Sequence, residues 1–222
     1  MALIGVAASI LLLLIFIRIM FVFLSTGKPV RNLCSSKPVS TLIILGSGGH
    51  TAEMMNLLCV LEIDKFSPRS YIAAATDNMS LQKAKVFEQS LAHGASAGNT
   101  SRTAKFMQIY RSREVGQSYV TSVGTTLVAM VHALWLILKI RPTVVLCNGP
   151  GTCVPLCVAA FLVKVVGIRW SFIFYVESIA RVKKLSLSGL MLYKLHLADQ
   201  FFVQWPKLQK AYPRAQYVGC LM

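Results

Sequence analysis

A histidine that follows a glycine-rich turn is the first feature of the sequence that could support chemistry. It lies in the run LIILGSGGHTAEMMNLL, residues 42–58, between four apolar, strand-favouring residues and a helical pattern. Glycines let such a turn expose backbone N–H groups, and the helix start adds partial positive charge, so the turn suits a phosphate. A neutral imidazole there could act as a base or donate to phosphate, with a glutamate within reach to orient it. The candidate residues are Gly46, Ser47, Gly48, Gly49, His50, Thr51 and Glu53.

This turn departs from two common nucleotide-binding patterns. A dinucleotide fingerprint reads GxGxxG with an acid about 20 residues later. Here Thr51 occupies the third glycine position and Asp77 comes too late. The Gly-Lys-Ser/Thr of a P-loop does not occur in the run. Two interpretations therefore stay open: a phosphate site with a histidine, or a tight turn that only joins a strand to a helix.

A second glycine-rich loop has the sequence CNGPGTC, residues 147–153, and follows another apolar run. If both runs are strands of one parallel sheet, the two loops lie at the same edge and face one crevice. Two such loops suit an extended phosphate or diphosphate, although an ordinary connecting loop is the alternative. The candidate ligand-binding residues are Asn148, Gly149, Pro150 and Gly151.

A third loop, YVESIARVKKLS, places a lone carboxylate at the end of an apolar run. Glu177 is unexpected there, because acids are rarely buried without a partner. It could accept hydrogen bonds from sugar hydroxyls while Arg181 and the following lysines hold phosphate or lipid headgroups. The alternative is a structural ion pair between Glu177 and Arg181. The sequence contains no DxD motif, and no ligand set for a catalytic metal is apparent.

The elements that must position these loops alternate between strand-like and helix-like patterns. The predicted strands cover residues 41–45, 70–75, 105–110, 143–147, 170–176 and 200–204. The predicted helices cover residues 51–62, 79–91, 118–139, 152–166 and 186–197. The strands are continuous apolar runs, which is typical of strands covered on both faces. The pattern predicts an α/β fold, a doubly wound, mostly parallel, Rossmann-like sheet, with a mobile loop at residues 92–104.

The first 40 residues differ from the rest. Residues 1–24 form a predicted transmembrane anchor whose apolar run, about 34 Å long as a helix, suffices to cross a bilayer. A Pro/Ser/Lys-rich linker follows at residues 25–40, and the α/β domain occupies residues 41–222. Basic residues come after the apolar run, so the positive-inside rule predicts a single-pass protein with its domain in the cytosol.

Composition also bears on partners. The 222 residues are 55% hydrophobic and carry a net charge of +15, which suits a membrane and phosphate-bearing ligands. No nucleic-acid partner is expected, because basic residues are scattered and form no recognised binding motif. The six cysteines are interpreted as buried free thiols of a reducing compartment.

Two further apolar segments, residues 125–138 and 154–166, are short for a membrane-spanning helix. They either cover the sheet or contact the bilayer surface.

The three loops, in this order, resemble one known family. The runs GSGGHTAE, NGPGT and YVESIAR, with the ending YVG, are similar to the membrane-anchoring subunit of the eukaryotic UDP-GlcNAc transferase. That enzyme adds the second GlcNAc to dolichyl-diphosphate-GlcNAc. The resemblance covers essentially the whole chain, the apolar N-terminal segment included.

The resemblance implies a split form of the bacterial transferase MurG, a two-domain GT-B glycosyltransferase, with this chain as its N-terminal, acceptor-binding half. A separate soluble catalytic subunit would bind UDP-GlcNAc, so no cofactor is expected on this chain. The anchor would recruit that subunit to the cytosolic face of the endoplasmic reticulum membrane. The first loop would hold the acceptor diphosphate, with His50 as candidate base. Docking of the subunit would involve the C-terminal segment, with Tyr217, Val218, Gly219 and Leu221 as candidates.

One departure from the bacterial pattern affects the third loop. Glu177 matches the acid of the bacterial HEQN motif, but Val176, Ser178 and Ile179 stand where His, Gln and Asn would be. This difference favours His50 over Glu177 as the base. Because a GT-B enzyme needs two domains that face a cleft, the chain is not expected to be active alone. Two other hypotheses are a stand-alone, membrane-bound, nucleotide-dependent enzyme and a membrane adaptor whose loops bind nothing.

Overall fold

A parallel sheet with helices on both faces forms the body of the protein. The computed structural model describes residues 2–27, 37–94, 104–111 and 118–221. Its strands are β1 Thr41–Ile44, β2 Arg69–Ala74, β3 Lys105–Ile109, β4 Val144–Asn148, β5 Phe172–Val176, β6 Gln200–Val203 and β7 Gln216–Tyr217. Its helices are α1 Ala2–Ser25, α2 Gly49–Val60, α3 Asn78–Gly94, α4 Tyr119–Ile140, α5 Cys153–Val166, α6 Leu187–Lys194 and α7 Pro206–Ala211.

The strand order places the first two glycine-rich loops side by side. The order is β3-β2-β1-β4-β5-β6-β7, and every pairing is parallel. Strands β2 and β3 lie on one side of β1, and β4 to β7 follow on its other side. β1 and β4 are therefore neighbours at the topological switch point, with Ile44 opposite Cys147. Ligands of doubly wound folds bind beyond the carboxyl ends of the strands at this point.

Both faces of the central strands are buried, which explains why these strands are continuous apolar runs. Ile43 of β1 packs in a cluster with Met54 of α2, whereas the adjacent Leu42 and Ile44 belong to the cluster that includes Leu156 of α5. Successive side chains of a strand point to opposite faces, so an apolar residue is needed at every position when helices cover both. The predicted doubly wound, Rossmann-like α/β fold is confirmed.

Helix α1 exposes most of its apolar side chains and packs only its last turns on the domain. It is long and apolar enough to cross a membrane. Val22 is buried, and the Phe23 ring lies 5.4 Å from the ring of Phe161 in α5. Arg18 donates hydrogen bonds of 3.2 Å to the carbonyl oxygens of Lys164 and Val165 at the C-terminal end of α5. This end of a helix dipole is negative and favours a cation.

Helix α4 confirms the helix predicted at residues 118–139, but its apolar surface is longer than the segment 125–138 suggested. It runs for 22 residues, so the expectation that this segment is too short to span is wrong by length. Its inner face packs in the domain through Ala129, Ala133 and Leu136. Its outer face is an exposed apolar stripe that we call the α4 stripe. The α4 stripe consists of Val123, Leu127, Val128, Val131, Leu134, Trp135 and Leu138. Helix α5 contains the second apolar segment, residues 154–166. It is largely buried and covers the sheet, which was one of the two alternatives for this segment.

Several other sequence predictions differ from the structure or fall outside it. Helix α7 and strand β7 were not predicted. Residues 92–94 of the predicted loop at 92–104 belong to α3, and residues 95–103 lie outside the described residues, as do residues 28–36 of the predicted linker. The prediction of buried free thiols is confirmed for Cys147, Cys153 and Cys157, but Cys59 and Cys220 are exposed.

Candidate functional site

The His50 imidazole is held between the first two loops. A Cβ at Gly149 would lie 2.7 Å from His50 Cε1, and a Cβ at Gly46 would lie 2.7 Å from His50 Cβ and 2.8 Å from Pro150 Cβ. Real side chains do not approach this closely, so glycine is required at both positions. Gly149 also has a φ of +65°, which favours glycine. The structure thus brings His50, Gly46, Gly149 and Pro150 together, in the crevice that the two glycine-rich loops suggested.

Part of the imidazole faces solvent and part is buried. The His50 side chain is 35% exposed, but its Nδ1 atom is buried and makes no hydrogen bond to any described residue. The nearest carboxylate oxygen is Oε2 of Glu53, 3.7 Å from Nδ1. The exposed part of the ring therefore excludes Nδ1, and Nε2 is the ring nitrogen left for a ligand.

Glu53 links the second and third loops to helix α2. Its Oε2 accepts a 2.9 Å hydrogen bond from Asn148 Nδ2, and its Oε1 accepts a 2.7 Å bond from Ser178 Oγ. Asn148 is buried, and its Oδ1 has no partner among the described residues. Glu53 was predicted as an acceptor-binding residue; the structure commits both of its oxygens to other parts of the protein.

The start of helix α2 is open above the first loop. Gly48 precedes the helix with no side-chain cap, and added Cβ atoms at Gly48 and Gly49 would meet nothing within 4 Å. Ser47 is exposed beside them. The first N–H groups of a helix have no partner within it, so an uncapped start with room above it can bind an anion.

The Thr51 hydroxyl is used inside the loop. Thr51 is fully buried; its Oγ1 donates to the Gly46 carbonyl and lies 2.7 Å from Ser80 Oγ. Ser80 Oγ in turn lies within hydrogen-bond distance of the Gly46 carbonyl and of Asp77 Oδ2. The prediction that the Thr51 hydroxyl donates to a ligand is therefore wrong, because this hydroxyl donates to the Gly46 carbonyl and stabilises the turn.

Glu177 is turned away from the crevice. Its side chain is fully buried, and its carboxylate accepts hydrogen bonds from the N–H and hydroxyl of Ser186 and from the N–H of Ser178. Ser186 caps α6 through Gly189, so the carboxylate lies at the positive end of that helix. Burial raises the pKa of Glu177 above its usual value, while these hydrogen bonds oppose the rise. The geometry therefore does not favour the predicted contact between the Glu177 carboxylate and sugar hydroxyls.

The remaining residues of the third loop are exposed. The Arg181 side chain reaches solvent, and its N–H donates to the Ser178 carbonyl at 3.0 Å. The Arg181 charge lowers the pKa of Glu177 less than the hydrogen bonds from Ser186 and Ser178 do. The alternative of a structural Glu177–Arg181 ion pair is therefore weak. Gly151, in the second loop, is also exposed with open space around its Cα.

The C-terminal segment lies at the same edge of the sheet. The N–H of Leu221 donates to Gln204 Oε1 at 3.1 Å, and Gln204 Nε2 donates to the Glu177 carbonyl at 3.0 Å. Tyr217 and Val218 are exposed, and Gly219 follows them with a φ of +76°. Of the four candidate docking residues, Leu221 is thus linked to the third loop through Gln204, and Tyr217 and Val218 present open surface.

Three site residues were missed from the sequence: Ser178, Ser186 and Gln204. Of these, Ser186 carried a signal, because a serine immediately before an apolar helical pattern is a common N-cap. Among the residues that the structure describes, no group of three His, Cys, Asp or Glu side chains is arranged to hold a metal ion.

Comparison with solved structures defines the class of the fold. MurG of Acinetobacter baumannii is similar with a TM-score of 0.53 at 14% identity, over 77% of this chain and 42% of that one. A UDP-N-acetylglucosamine 2-epimerase is similar with a TM-score of 0.54 at 16% identity, over 80% of this chain and 45% of that one. The chain therefore spans less than half of either structure. It has the Rossmann-like architecture of a MurG-like GT-B domain.

Sequence comparison defines the family. Residues 41–221 match the family described as "Oligosaccharide biosynthesis protein Alg14 like", and the chain belongs to this family. Relatives named "UDP-N-acetylglucosamine transferase subunit ALG14" include those of Yarrowia lipolytica, 41% identical over 98% of this chain and 97% of the relative, and Homo sapiens, 43% identical over 96% and 94%. The Rattus norvegicus relative is 48% identical over 80% and 81%. The family resemblance of the three loops is confirmed.

Proposed function

We propose that this chain is the membrane-anchoring, acceptor-binding subunit of a heteromeric UDP-N-acetylglucosamine transferase. Its acceptor is dolichyl-diphosphate-GlcNAc, to which the enzyme adds the second GlcNAc of the lipid-linked oligosaccharide used in N-glycosylation. The observation that carries the proposal is the His50 imidazole, held by Gly46 and Gly149 between two loops at the switch point. The names of the relatives as transferase subunits support it.

The acceptor diphosphate binds at the open start of α2. The exposed N–H groups after Gly48 and the Ser47 hydroxyl supply donors, and the helix end supplies partial positive charge. The Gly151 end of the second loop and Arg181 lie at the same edge of the sheet and serve the rest of the acceptor. The reacting hydroxyl of the acceptor sugar then faces Nε2 of His50.

The transfer step is an inverting displacement. His50 Nε2 takes the proton of the acceptor hydroxyl, and the hydroxyl oxygen forms a bond to C1 of the donor GlcNAc. The bond between C1 and the UDP oxygen breaks, and UDP leaves with the electron pair. A positioned base of this kind contributes about 10²- to 10⁴-fold to a rate. No metal or cofactor on this chain takes part in the step.

The partner is a soluble subunit that binds UDP-GlcNAc and faces the crevice from the other side. It docks on the surface formed by Tyr217, Val218, Gly219 and Leu221, and Leu221 is linked to the third loop through Gln204. Helix α1 spans the endoplasmic reticulum membrane once and holds the domain on the cytosolic side. Arg18 and Trp170 lie close together where α1 meets the domain, 5.9 Å from guanidinium carbon to ring centre, a pairing suited to a membrane interface.

The test is a transfer assay in defined liposomes, with labelled UDP-GlcNAc and a short dolichyl-diphosphate-GlcNAc analogue. The samples are the chain alone, the soluble partner alone, both together, and the partner with the His50→Ala variant. We expect product only from the mixture, and a rate at least about 100-fold lower with His50→Ala while partner binding is retained. Full activity with His50→Ala indicates an adaptor without a functional site. Product from the chain alone overturns the division of labour.

A further inference from the structure

We propose that Glu53 is a positioning residue that holds the His50 imidazole with Nε2 toward the crevice, and is not a contact of the acceptor. The inference rests on the proposed function, because it concerns how His50 is made ready for its role. It assigns to Glu53 a part in the rate of the chemical step and no part in acceptor affinity.

The carboxylate connects three loops that are far apart in the chain. Its partners Asn148 and Ser178 are 95 and 125 residues away, and each donates to a different oxygen. His50 Nδ1 lies 3.7 Å from the oxygen that Asn148 also uses. One side chain of α2 therefore sets the spacing of all three loops at the carboxyl edge of the sheet.

The exposure of Glu53 favours an internal role over ligand binding. The side chain is only 12% exposed, and each oxygen already accepts a hydrogen bond of 2.9 Å or less. An acceptor sugar or phosphate therefore has little access to this carboxylate. A phosphate would also be repelled by the carboxylate charge.

The geometry of His50 determines which nitrogen is free for chemistry. Gly149 limits the ring on one side, and Nδ1 is buried with the Glu53 Oε2 atom as its nearest carboxylate acceptor. A shift of about 0.7 Å brings this pair into hydrogen-bond range. When Nδ1–H donates to the carboxylate, Nε2 carries the lone pair, because the bond made by one ring nitrogen sets the state of the other.

The same carboxylate stabilises the product of proton transfer. When Nε2 takes the proton of the attacking hydroxyl, the ring becomes an imidazolium with its positive charge beside Glu53. Hydrogen bonds between ionised partners are about twice as strong as neutral ones. The interaction is therefore stronger after proton transfer than before it, which is the condition for an effect on kcat rather than on KM.

The experiment uses the full-length chain with its soluble partner in liposomes and measures kcat and the acceptor KM. The variants are Glu53→Gln, His50→Ala, their combination, and Glu62→Gln as the matched control, which makes the same change at an exposed glutamate outside the site. We expect Glu53→Gln to lower kcat about 10- to 100-fold with KM within about twofold, and Glu62→Gln to stay within about threefold of wild type. In the His50→Ala background, Glu53→Gln costs less than about twofold, because its effect acts through His50.

Three results overturn the proposal. A raised KM with unchanged kcat makes Glu53 an acceptor contact. An equal loss in the presence and absence of His50 makes it a structural support of the loops. A wild-type rate makes the carboxylate irrelevant. If Glu53→Gln is not recovered folded, Glu53→Asp, which withdraws the oxygens by about 1.5 Å, must show the same preserved KM with reduced kcat. Failure of the proposed function is separate, since the wild-type mixture then yields no product.

Discussion

The His50 imidazole lies so close to the backbone of Gly149 that a single methyl group there would overlap it. An added Cβ would lie 2.7 Å from Cε1 and 3.0 Å from Nδ1 of the ring. The second loop therefore forms one wall of the space that holds the first-loop histidine. The packing joins the ends of β1 and β4, which are neighbours only because the sheet reverses its building direction between them.

Gly149→Ala should lower the rate of transfer about tenfold or more, because the ring must move from its place beside Glu53. The matched control is Gly27→Ala, at a position with a φ of +83° and nothing within 4 Å. Both variants place alanine in a left-handed conformation, at a cost of about 1–2 kcal/mol of stability. Thermal unfolding should show this cost in both variants and a further loss in Gly149→Ala, whose methyl group also meets the His50 ring. Transfer assays should show a rate loss only for Gly149→Ala. Equal rates in the two variants would contradict the role of this contact.

The buried pair of Lys164 and Asp199 should be among the most sensitive positions for stability. Lys164 Nζ donates to both oxygens of Asp199, at 2.9 Å and 2.7 Å, and neither side chain is more than 3% exposed. Lys164→Met leaves the Asp199 charge buried without its cation, and we expect a loss of about 3–5 kcal/mol in the free energy of unfolding. The measurement is denaturant unfolding in detergent.

The double variant Lys164→Met with Asp199→Asn is the control for that loss. Both charges are then absent, so the cost should be smaller than that of Lys164→Met alone. Asp199 Oδ2 also accepts from the Ile173 N–H, and the asparagine oxygen can keep this bond. A double variant less stable than Lys164→Met would show that the stranded charge is not the cause.

Glu177→Gln should change how stability depends on pH. Burial raises the pKa of Glu177 in the folded protein above 4.5, the value of the free side chain, so the folded state holds this proton more tightly. The stability that this proton provides is present below about pH 4.5 and is lost as pH rises through the folded pKa. Glutamine does not titrate. The free energy of unfolding of wild type minus that of the variant should therefore fall as pH rises.

Denaturant unfolding of both proteins in detergent, from about pH 4 to about pH 8, measures this difference. The reverse trend, a difference that grows with pH, would mean that the hydrogen bonds from Ser186 and Ser178 outweigh burial and lower the folded pKa. The transfer rate of Glu177→Gln should remain close to wild type, because the carboxylate faces α6 and not the crevice. A loss of about 100-fold would return Glu177 to the list of candidate catalytic residues.

The fold was predictable from the sequence because the central strands β1, β4 and β5 are largely apolar runs and the loops after β1 and β4 contain glycine. Helix α7 and strand β7 were missed because they are six and two residues long, too short for a periodic pattern. Helix α4 was predicted at residues 118–139, but its apolar length was underestimated because the Ser, Thr and Gly residues at 121–126 interrupt the apolar run, although such residues fit an exposed helix turn.

The site was predictable as a set of loops but not as a set of contacts. The pairing of Glu53 with Asn148 and Ser178 depends on sheet order, since those partners are 95 and 125 residues away. Thr51 was placed correctly at the start of a helix and Glu177 at the end of a strand, but the side to which their oxygens point depends on Ser80 and Ser186. Residue type and spacing do not specify that direction.

The α4 stripe should hold the domain on the membrane even without α1. Its seven large apolar side chains are exposed, and the last turns of α1 pack on α5, the neighbour of α4, so both apolar surfaces belong to one side of the sheet. Lys139, Arg141 and Arg169 lie near the end of α4 and suit anionic headgroups. A chain lacking residues 1–24 should therefore bind vesicles that contain anionic lipid, more weakly than the full chain.

Flotation of that shortened chain measures the binding. Adding Leu127→Glu and Val131→Glu should reduce it about tenfold or more per substitution, because each charge would enter the apolar interface. The control is Gln82→Glu with Gln89→Glu, which adds the same charge at exposed positions of α3. High salt or carbonate should release the shortened chain, as expected for surface contact. Retention of the shortened chain through a carbonate wash would mean that α4, at 22 residues, crosses the bilayer. If the shortened chain does not bind vesicles at all, membrane attachment depends on α1 and the prediction is wrong.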